Sequence, residues 1–497
     1  MKKIKSKTII WVFLIAISFA MLSCENQLEL APVDEFAPEN VLQSQEGLES
    51  LLFSAYSVQN QGPRLRDEIL INEVSTDIGF VRIGAVLREM TPFMDFSWDY
   101  ATAKFEGNFW APAYRSIRDA NTLLDNIDAS SVDASFRKKV IAEARYIRAF
   151  DYTYLYKYFG VVPLRITTDL SVQPAELGLP TEEEFRNFIE TELTEVVQDL
   201  PNPSAQIQVG RATKGHAIGA LVKFYMNTKQ WSKAVTATKD LMDLNYYELF
   251  PNYRATFFVE NEPQNNPNNK EMIISFSLIN QNNYNNNYQN GAFPPGFRYA
   301  DNIPEFVWDS SMANWPTQFS IRDGFVDSFD PNDDRKKAII ENYHNASGAL
   351  VSLRTTVDNS RNLKYWDSDQ IGNFSGSDLP YLRYADILLC RAEALNEVNG
   401  PTQESVDLIN MIRDRANVSS YSLTDVGDKD NFRDLILKER GWEFFGEGKR
   451  REDLIRHGKF IQYAIDRGLS AQDYQNYFPY PQSEINSNPN LVQRQGY

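Results

Sequence analysis

The stretch that most constrains the fold is residues 431–459, NFRDLILKERGWEFFGEGKRREDLIRHGK. At 100° per residue its apolar side chains occupy two sides of a helix, which predicts a helix buried between neighbouring elements. Yet Glu439 and Glu443 project into one of the apolar stripes. A buried carboxylate is costly unless it is paired and hydrogen-bonded. The expected partners are the nearby arginines Arg440, Arg450 and Arg451.

Glu439, Glu443 and Glu447 form a row spaced four residues apart, which has two interpretations. It could be a set of catalytic acids or metal ligands, or a structural salt-bridge network at a helix junction. No His or Cys joins the row, and several arginines do, so the structural interpretation is favoured. Gly446 and Gly448 suit the end of the helix, and a second short helix is expected to follow.

The first residues carry a targeting signal. Four lysines precede an apolar run from Ile9 to Ala20, which is too short for a membrane span of about 20 residues. The run ends in Met21-Leu22-Ser23-Cys24, similar to a lipobox, so residues 1–23 are expected to be a lipoprotein signal peptide and Cys24 the lipidated N-terminus. Residues 24–40 would be a tether. The alternative is an ordinary secretory signal with an incidental cysteine.

Net charge limits the choice of partners. The chain of 497 residues has a formal net charge of −17, and without the four leader lysines it becomes −21. Nucleic acid and anionic lipid surfaces favour basic proteins, so no nucleic-acid partner is expected. The charge suits a neutral ligand. The second cysteine, Cys390, lies in an apolar helical pattern and is expected to be a small buried residue, so no disulfide framework is predicted.

Helical periodicity dominates the rest of the chain and predicts a mainly α fold. The predicted helices are Ser44–Gln59, Asn108–Ile127, Phe136–Phe159, Thr181–Asp199, Thr213–Asn227, Trp231–Leu244, Tyr381–Val398 and Gln403–Ala416. Thr181 and Glu184 form a capping box. The last four helices form two pairs of tetratricopeptide-like length, wrapped around a compact body. Residues 60–105 lack periodicity and are predicted to be irregular loop.

Residues 246–379 form an irregular, loop-rich segment. It holds strand-like runs at Met272–Ile279 and Ala338–Ile340, and the polar sequence NQNNYNNNYQN at 280–290. Sugar rings stack on aromatic side chains while amides and carboxylates bind hydroxyl groups. We therefore predict a glycan-binding site in this region and in the earlier loop, although each ring could equally serve core packing. The predicted ligand-binding residues are Trp98, Tyr284, Tyr288, Trp308 and Trp315.

Catalytic and metal-binding motifs are absent from the sequence. The three histidines are scattered, and no nucleophile elbow or phosphate-binding loop is present. A calcium-like string begins at Asp330 and ends at Glu341, but Arg335 replaces the turn glycine, which favours a turn ahead of a strand. Glycosidase chemistry needs two facing carboxylates, and nothing selects a pair. No metal and no cofactor are therefore expected.

Three stretches resemble the SusD/RagB family of outer-membrane nutrient-uptake lipoproteins. The C-terminal stretch resembles E-R-x-x-E-L-x-x-E-G-x-R-x-x-D-L, with Phe444 in place of the usual leucine and His457 where tryptophan is frequent. AEARYIRAFDYTYLYKYFGVVPL, ending at Leu164, resembles a second family block. The final PQSEINSNPNLVQRQGY resembles the third, with Arg494 in place of the usual asparagine.

The resemblance implies a fold, a function and a partner. It implies one compact SusD-like domain over residues 41–497, with an N-terminal part to about 245, the insert at about 246–379 and a C-terminal helical and tail part from about 380. The protein would be lipid-anchored on the outer membrane, facing the cell exterior, and catalyse nothing. It would capture oligosaccharides for a SusC-like TonB-dependent transporter. The alternatives are RagB-like peptide capture, a secreted glycosidase, or a scaffold whose helical pairs only hold partners.

Overall fold

The computed structural model describes residues 42–497 except 83, 206 and 316–318. The predicted signal peptide at 1–23, the tether at 24–40 and the lipidation site Cys24 lie outside the described residues. Helices dominate and strands are short, which confirms the mainly α prediction. In the described part of the chain, no helix has the length and apolar character that crossing a membrane would require.

The α-helices are numbered here in chain order. They are α1 Gln45–Gln59, α2 Gly62–Val74, α3 Ala85–Met94, α4 Ala111–Asn126, α5 Ala134–Phe159, α6 Glu182–Asp199, α7 Lys214–Asn227, α8 Trp231–Met242, α9 Tyr288–Ala292, α10 Asp323–Val326, α11 Tyr384–Asn399, α12 Gln403–Arg415, α13 Lys429–Phe444, α14 Arg450–Arg456, α15 Phe460–Asp466 and α16 Gln482–Ser487.

Local capping sets several helix ends. The Ser44 hydroxyl accepts a hydrogen bond from the Gly47 N–H at 3.0 Å and starts α1. The capping box before α6 is present as predicted, with Thr181 and Glu184 each accepting from the other's backbone N–H. Helix α5 ends at Gly160, whose φ of 64° lies in the left-handed region.

The helices pack on one another around one continuous core. Helix α4 packs on α1 and α5, α5 on α6, and α7 on α8. Helix α8 then packs on α11, and α11 on α12 and α13. These helical pairs confirm the predicted tetratricopeptide-like arrangement. The first helix of the second pair begins later than predicted, at Tyr384, because Tyr381 belongs to a strand.

The prediction of irregular loop over 60–105 is wrong, because α2, α3 and the first strand occupy much of it. Helix α2 shows no clear hydrophobic periodicity in the sequence, because its buried side carries ionisable and amide groups as well as apolar ones. Glu68 accepts hydrogen bonds from the hydroxyls of Tyr154 at 2.8 Å and Tyr158 at 2.7 Å. Asn72 donates to the Tyr158 hydroxyl at 2.7 Å.

The strands form small antiparallel sheets, most of them in the irregular segment. They are β1 Gly79–Val81, β2 Met272–Phe276, β3 Phe297–Tyr299, β4 Phe319–Ile321, β5 Ile339–Ile340, β6 Asn342–Asn345, β7 Leu350–Ser352, β8 Arg361–Asn362 and β9 Leu379–Arg383. Strand β1 pairs with β4, β2 with β9, β5 with β8, and β6 with both β3 and β7. Both predicted strand-like runs therefore contain a strand, β2 and β5.

The glutamate row of α13 lies inside a buried ion network at a helix junction, as the structural interpretation predicted. Glu439 contacts Arg335 at 2.6 Å, and Glu443 contacts Arg383 at 2.6 Å. Glu447 contacts Arg383 at 2.9 Å. We define the ion network as the carboxylates Glu271, Asp333, Glu439, Glu443 and Glu447 with the cations Arg335, Lys364, Arg383, Arg413 and Arg415. The ten formal charges cancel, which makes their burial tolerable.

The predicted partners of that row were wrong, because the pairing cations come from distant parts of the chain. Arg440 instead bridges Asp386 at 2.8 Å and Asp453 at 2.9 Å. Arg450 pairs with Asp77 at 2.7 Å. Arg451 donates to backbone carbonyls of the C-terminal segment. Each of the three arginines therefore ties α13 or α14 to another element.

Candidate functional site

Three loops meet on one side of the molecule, and we call residues 279–290, 311–315 and 370–376 the loop cluster. The Asn290 amide nitrogen donates to the Ala313 carbonyl at 2.8 Å, and the Asn290 carbonyl accepts from the Trp315 N–H at 2.7 Å. The Gly372 N–H donates to the Ser311 carbonyl at 2.6 Å. Hydrogen bonds thus hold together the asparagine-rich loop (residues 279–290), the tryptophan segment (311–315) and the third loop (370–376).

The asparagine-rich loop is docked on the N-terminal end of α2. The Gly62 N–H donates to the Asn283 carbonyl at 3.0 Å, and Asn283 has a φ of 68°. A Cβ added at Gly62 would lie 1.7 Å from the carbonyl oxygen of Asn285. Only glycine allows this approach. The position of the loop therefore depends on a residue some distance from it in the sequence.

Trp315 lies beside Arg66 of α2, which belongs to a small charged group formed with Asp67, Glu89 and Lys104. The Arg66 guanidinium lies 5.9 Å from the centre of the Trp315 ring and pairs with Asp67 at 2.6 Å. Lys104 contacts Asp67 at 2.5 Å and Glu89 at 2.8 Å. Burial opposes the charge on Lys104, but the two carboxylates outweigh it and raise the pKa of the amine. The half-buried Trp315 ring is thus held in place by a balanced set of charges.

Amide side chains of the loop cluster keep hydrogen-bonding atoms without a partner in the described part of the chain. These amides are Asn285, Asn287, Gln289, Asn290, Asn314, Gln370 and Asn373. Leaving such an atom unpaired in a buried position costs about 1–3 kcal/mol. These atoms are shielded from solvent, so the donors and acceptors that a ligand can reach are the exposed amides at the turn of the same loop, Asn280, Gln281, Asn282 and Asn283. Amides beside an aromatic ring form the donor and acceptor set that suits a carbohydrate.

The rings predicted to bind ligand are not equivalent. Tyr284 is 38% exposed at the turn of the asparagine-rich loop, and Trp315 is half-buried in the same loop cluster. Tyr288 is only 2% exposed, because its ring packs against Phe319 and its hydroxyl accepts from Asn362 at 3.2 Å. Tyr288 therefore anchors the loop and offers no free face to a sugar.

Trp98 and Trp308 lie outside the loop cluster. Trp98 is 4% exposed, packs against Phe96 and Phe478, and donates its indole N–H to the Tyr497 hydroxyl at 2.7 Å. It fixes the C-terminal tail on the core. Trp308 is half-buried. Its backbone N–H donates to the carbonyl of Arg298 in β3, and the Arg298 guanidinium donates to the Trp308 carbonyl. Of the five predicted rings, the structure thus places Tyr284, Tyr288 and Trp315 in the loop cluster, and of these three Tyr284 and Trp315 are accessible to solvent.

Sequence reasoning missed the other parts of this surface. Arg66 and the docking glycine Gly62 lie in the stretch predicted to be loop, and the third loop carries Gln370 and Asn373. A turn signal, Gln61-Gly62-Pro63, was the available clue to a helix start. Nothing in the sequence links residues near 370 to those near 285.

The larger cavities lie elsewhere. A cavity of about 590 Å³ is lined by polar residues that include Asn332, Asp334 and Glu341 of the calcium-like string. That string forms a turn before β5, as the alternative interpretation predicted. Across the described ranges, no group of three or more His, Cys, Asp or Glu side chains is arranged to hold a metal ion. A groove of about 670 Å³ lies between α6, α7 and α8.

One carboxylate pair stands behind the loop cluster. The Asp378 N–H donates to Glu262 at 2.5 Å, and the Gln264 amide donates to both carboxyls, at 2.7 and 3.3 Å. Burial and mutual repulsion raise the pKa of the Glu262 carboxyl, and burial raises that of Asp378. Both side chains are buried, and Asp378 accepts from the Leu278 N–H at 2.8 Å. The pair supports the loop base instead of facing a substrate.

Comparison with known proteins identifies the family. Residues 282–497 match the model of the "SusD family", and residues 27–226 match a family described as "Starch-binding associating with outer membrane". The chain belongs to the SusD/RagB family. A SusD-like protein, P25, from Formosa agariphila is 26% identical, covering 98% of this chain and 97% of the relative.

Two further similarities span the SusD fold. The starch-binding protein SusD of Bacteroides thetaiotaomicron is 24% identical over 97% of this chain and 97% of its own. A solved structure described as a laminarin-binding SusD-like protein superposes with a TM-score of 0.75 at 22% identity, covering 90% of this chain and 99% of that one. The fold predicted from the sequence, a SusD-like arrangement of helical pairs, is therefore confirmed.

Proposed function

We propose that this SusD-family protein captures oligosaccharides at the cell surface through its loop cluster, and that it catalyses no reaction. The observation that carries the proposal is the exposed Tyr284 beside the exposed amides Gln281, Asn282 and Asn283, with the half-buried Trp315 in the same loop cluster. Rings supply flat apolar faces and amides supply donors and acceptors, so the surface needs nothing more to hold a sugar chain.

The relatives support a glycan as the ligand class. One is named a starch-binding protein and a similar structure is described as laminarin-binding. The loop cluster is an open surface, which suits a chain ligand that extends beyond the site. The alternative of a secreted glycosidase is disfavoured because the carboxylate pair behind the loop cluster, Glu262 and Asp378, is buried.

We further propose that Cys24 carries a lipid anchor in the outer membrane and that the ligand passes to a SusC-like TonB-dependent barrel. The second matching family is described as associating with the outer membrane. Radiolabelled palmitate incorporation should depend on Cys24, and the full-length lipidated chain should co-purify with a large barrel. Extraction of the protein alone, without a barrel, would contradict the delivery step but not glycan capture.

The capture proposal is tested with soluble protein that begins after Cys24. Binding to neutral and acidic oligosaccharides is measured by calorimetry, and each mixture is checked for cleavage products. The double variant Tyr284→Ala/Trp315→Ala should lose about tenfold or more in affinity, since each stacked ring is worth about 1 kcal/mol or more. Tyr299→Ala is the matched control, because Tyr299 is 36% exposed but lies on β3 outside the loop cluster.

The outcomes separate the alternatives. Saturable binding that the double variant weakens and the control leaves intact would support the site. Equal binding by all three proteins would refute the loop cluster as the site. Release of products from any glycan would overturn the proposal that the protein is not an enzyme.

A further inference from the structure

The carboxylate pair, Glu262 and Asp378, lies where β2 and β9 separate into the loop cluster. The register of these strands pairs Phe276 with Leu379, the residue after Asp378. Beyond that point, the Leu278 N–H donates to the Asp378 carboxylate at 2.8 Å. Leu278 directly precedes the asparagine-rich loop, and Asp378 follows the third loop. The Asp378 side chain therefore closes the base that the two loops share.

Glu262 fixes this base to a separate segment of the chain. Its carboxylate accepts from the Asp378 N–H at 2.5 Å, and the Gln264 amide donates to Glu262 at 2.7 Å and to Asp378 at 3.3 Å. The backbone carbonyl of Glu262 accepts from the N–H groups of Asn265 and Asn266 at 2.8 and 2.7 Å, which holds residue 262 in a turn. Two carboxylates that share one amide donor are immediate neighbours, so their charges act strongly on each other.

Within the described part of the chain, neither Glu262 nor Asp378 forms an ion pair with a lysine, arginine or histidine. Burial raises the pKa of both carboxyls, and repulsion from Asp378, from the buried Asp367 and from the exposed Glu260 raises that of Glu262 further. In the ion network, by contrast, each carboxylate contacts an arginine. Two buried carboxylates without a cation cannot both ionise at low cost, so the pair keeps a proton while it stays buried.

Hydrogen bonds link the base of the loops to the exposed ring of Tyr284. Ile279, the first residue of the asparagine-rich loop, donates its N–H to the Tyr284 carbonyl at 2.7 Å. The Asn286 N–H donates to the Ser375 carbonyl at 2.8 Å, and the Asn286 amide nitrogen donates to the Ser377 hydroxyl at 3.2 Å. Ser377 is next to the carboxylate pair in the chain, and Ile279 follows the leucine whose N–H the pair binds. Separation of the loop base would therefore displace the exposed ring.

We propose that the carboxylate pair is a pH-sensitive switch of glycan capture, which holds the loop cluster in place while it carries a proton and releases it when that proton is lost. The inference rests on the proposed capture function and adds its regulation. In the protonated pair, one carboxyl O–H donates to the other carboxylate, and a single negative charge remains. Transfer of that proton to water leaves two buried negative charges side by side, and separation and hydration of the loop base relieve their repulsion.

The switch works in one direction of pH. A carboxyl whose pKa is raised in the closed arrangement stabilises that arrangement in acid, and the stabilisation is lost as the pH rises. We therefore expect the affinity for a neutral oligosaccharide to fall by about tenfold or more between about pH 6 and about pH 9. Calorimetry with laminarihexaose and maltohexaose measures this change, because neither ligand alters its charge with pH. EDTA in every buffer prevents divalent cations from replacing the proton.

One variant imitates the protonated pair at every pH. In Glu262→Gln the new amide N–H donates to Asp378 as the carboxyl O–H does, so this variant should keep at about pH 9 the affinity that wild type has at about pH 6. Asp369→Asn is the matched control, because Asp369 is an exposed acid directly ahead of the third loop, and its affinity should fall with pH as that of wild type does. A wild-type affinity that does not change with pH, or a fall that Glu262→Gln retains, would overturn the switch while glycan capture stands.

A second measurement needs no ligand. Amide hydrogen exchange of wild type and Glu262→Gln is compared at one alkaline pH, where the intrinsic exchange rates of the two proteins are the same. The N–H groups of Leu278 and Asn286 should exchange about tenfold or more faster in wild type, whereas those of α5 should not differ. Equal rates at Leu278 and Asn286 would overturn the switch. Faster exchange there, without binding of either oligosaccharide, would support the switch and count against the capture function alone.

Discussion

Glu443 is the centre of the ion network, and its replacement by glutamine tests the balance of charge directly. Its carboxylate contacts Arg335 at 3.3 Å, Arg383 at 2.6 Å and also Arg415. The side chain is fully buried. Glu443→Gln keeps the shape and one acceptor oxygen but leaves five cations facing four carboxylates.

The expected loss is large because the remaining charge cannot reach water. Removing one partner from a buried ion pair costs about 3–5 kcal/mol, whereas an exposed pair contributes at most about 1 kcal/mol. We therefore expect Glu443→Gln to lower the free energy of unfolding by about 3 kcal/mol or more. Lys239→Gln serves as the control, because Lys239 and Asp243 form an exposed pair at 2.6 Å on the surface of α8.

The assay is urea denaturation at neutral pH, followed by fluorescence and circular dichroism. Arg415→Gln is then combined with Glu443→Gln, which restores neutrality, so the double variant should be destabilised by at least about 1 kcal/mol less than the sum of the single variants. Additive effects, or a loss from Glu443→Gln no larger than that of Lys239→Gln, would refute the idea that charge balance stabilises the network.

The effect of this substitution should also depend on pH. Burial opposes ionisation, but Arg415, Arg383 and Arg335 outweigh it and lower the pKa of Glu443 well below its usual 4.5. Since the folded-state pKa is depressed, the stabilisation is present above pH 4.5 and is lost as the pH falls below it. The difference between wild type and Glu443→Gln should therefore be largest near pH 7 and shrink in acid.

Two further predictions concern a buried acid and a docking glycine. Burial raises the pKa of Asp151 from 3.8 to about 7, so the free energy of unfolding falls as the pH rises from about 4 to 7. In urea denaturation at pH 8, Asp151→Asn should therefore be more stable than wild type by on the order of 1–3 kcal/mol. Equal stability of the two proteins at pH 8 would contradict the burial of an ionisable acid at this position. Gly62→Ala should displace the asparagine-rich loop from α2 and weaken glycan binding, because the added Cβ would lie 1.7 Å from the Asn285 carbonyl oxygen. Calorimetry compares this variant with Gly107→Ala, where an added Cβ meets nothing within 4 Å. Equal affinities of the two variants for glycan would contradict the docking contact.

The helical frame was predictable because its signals are local. Caps such as Thr181 and periodic apolar positions in α5 need only neighbouring residues to be read. Helix α2 was missed because its buried face carries Asp67, Glu68 and Asn72, which imitate the polarity of a loop. Those residues become acceptable inside the fold through hydrogen bonds with tyrosines of α5 and with Lys104.

Contacts between distant residues could not be predicted from the sequence. The presence of buried carboxylates on α13 required cations, but Arg335 and Arg383 are far from Glu443 in the chain. The same difficulty affects the candidate site. A tryptophan in an aperiodic stretch has the same sequence signature whether it is buried, as Trp98 is, or partly accessible, as Trp315 is.

The buried ion network and the candidate site are connected by a chain of contacts. Lys364 contacts Glu447 at 2.9 Å, and its backbone N–H donates to Asn362 at 3.0 Å. Asn362 in turn donates to Tyr288, the anchor of the asparagine-rich loop. Position 446 of the motif also requires glycine, because a Cβ there would lie 2.2 Å from the amide nitrogen of Asn362.

The motif therefore stabilises the buried residues on which the loops pack, while the exposed loop tips supply the ligand contacts. A substitution in the motif should lower stability and disturb the loops together, whereas a change at Tyr284 should alter binding alone. Because the loop tips contribute little to the core, their side chains are free to differ between relatives without cost to the frame. The ligand class must then be determined from the chemistry of the exposed loop residues, which here are Tyr284 and the amides Gln281, Asn282 and Asn283.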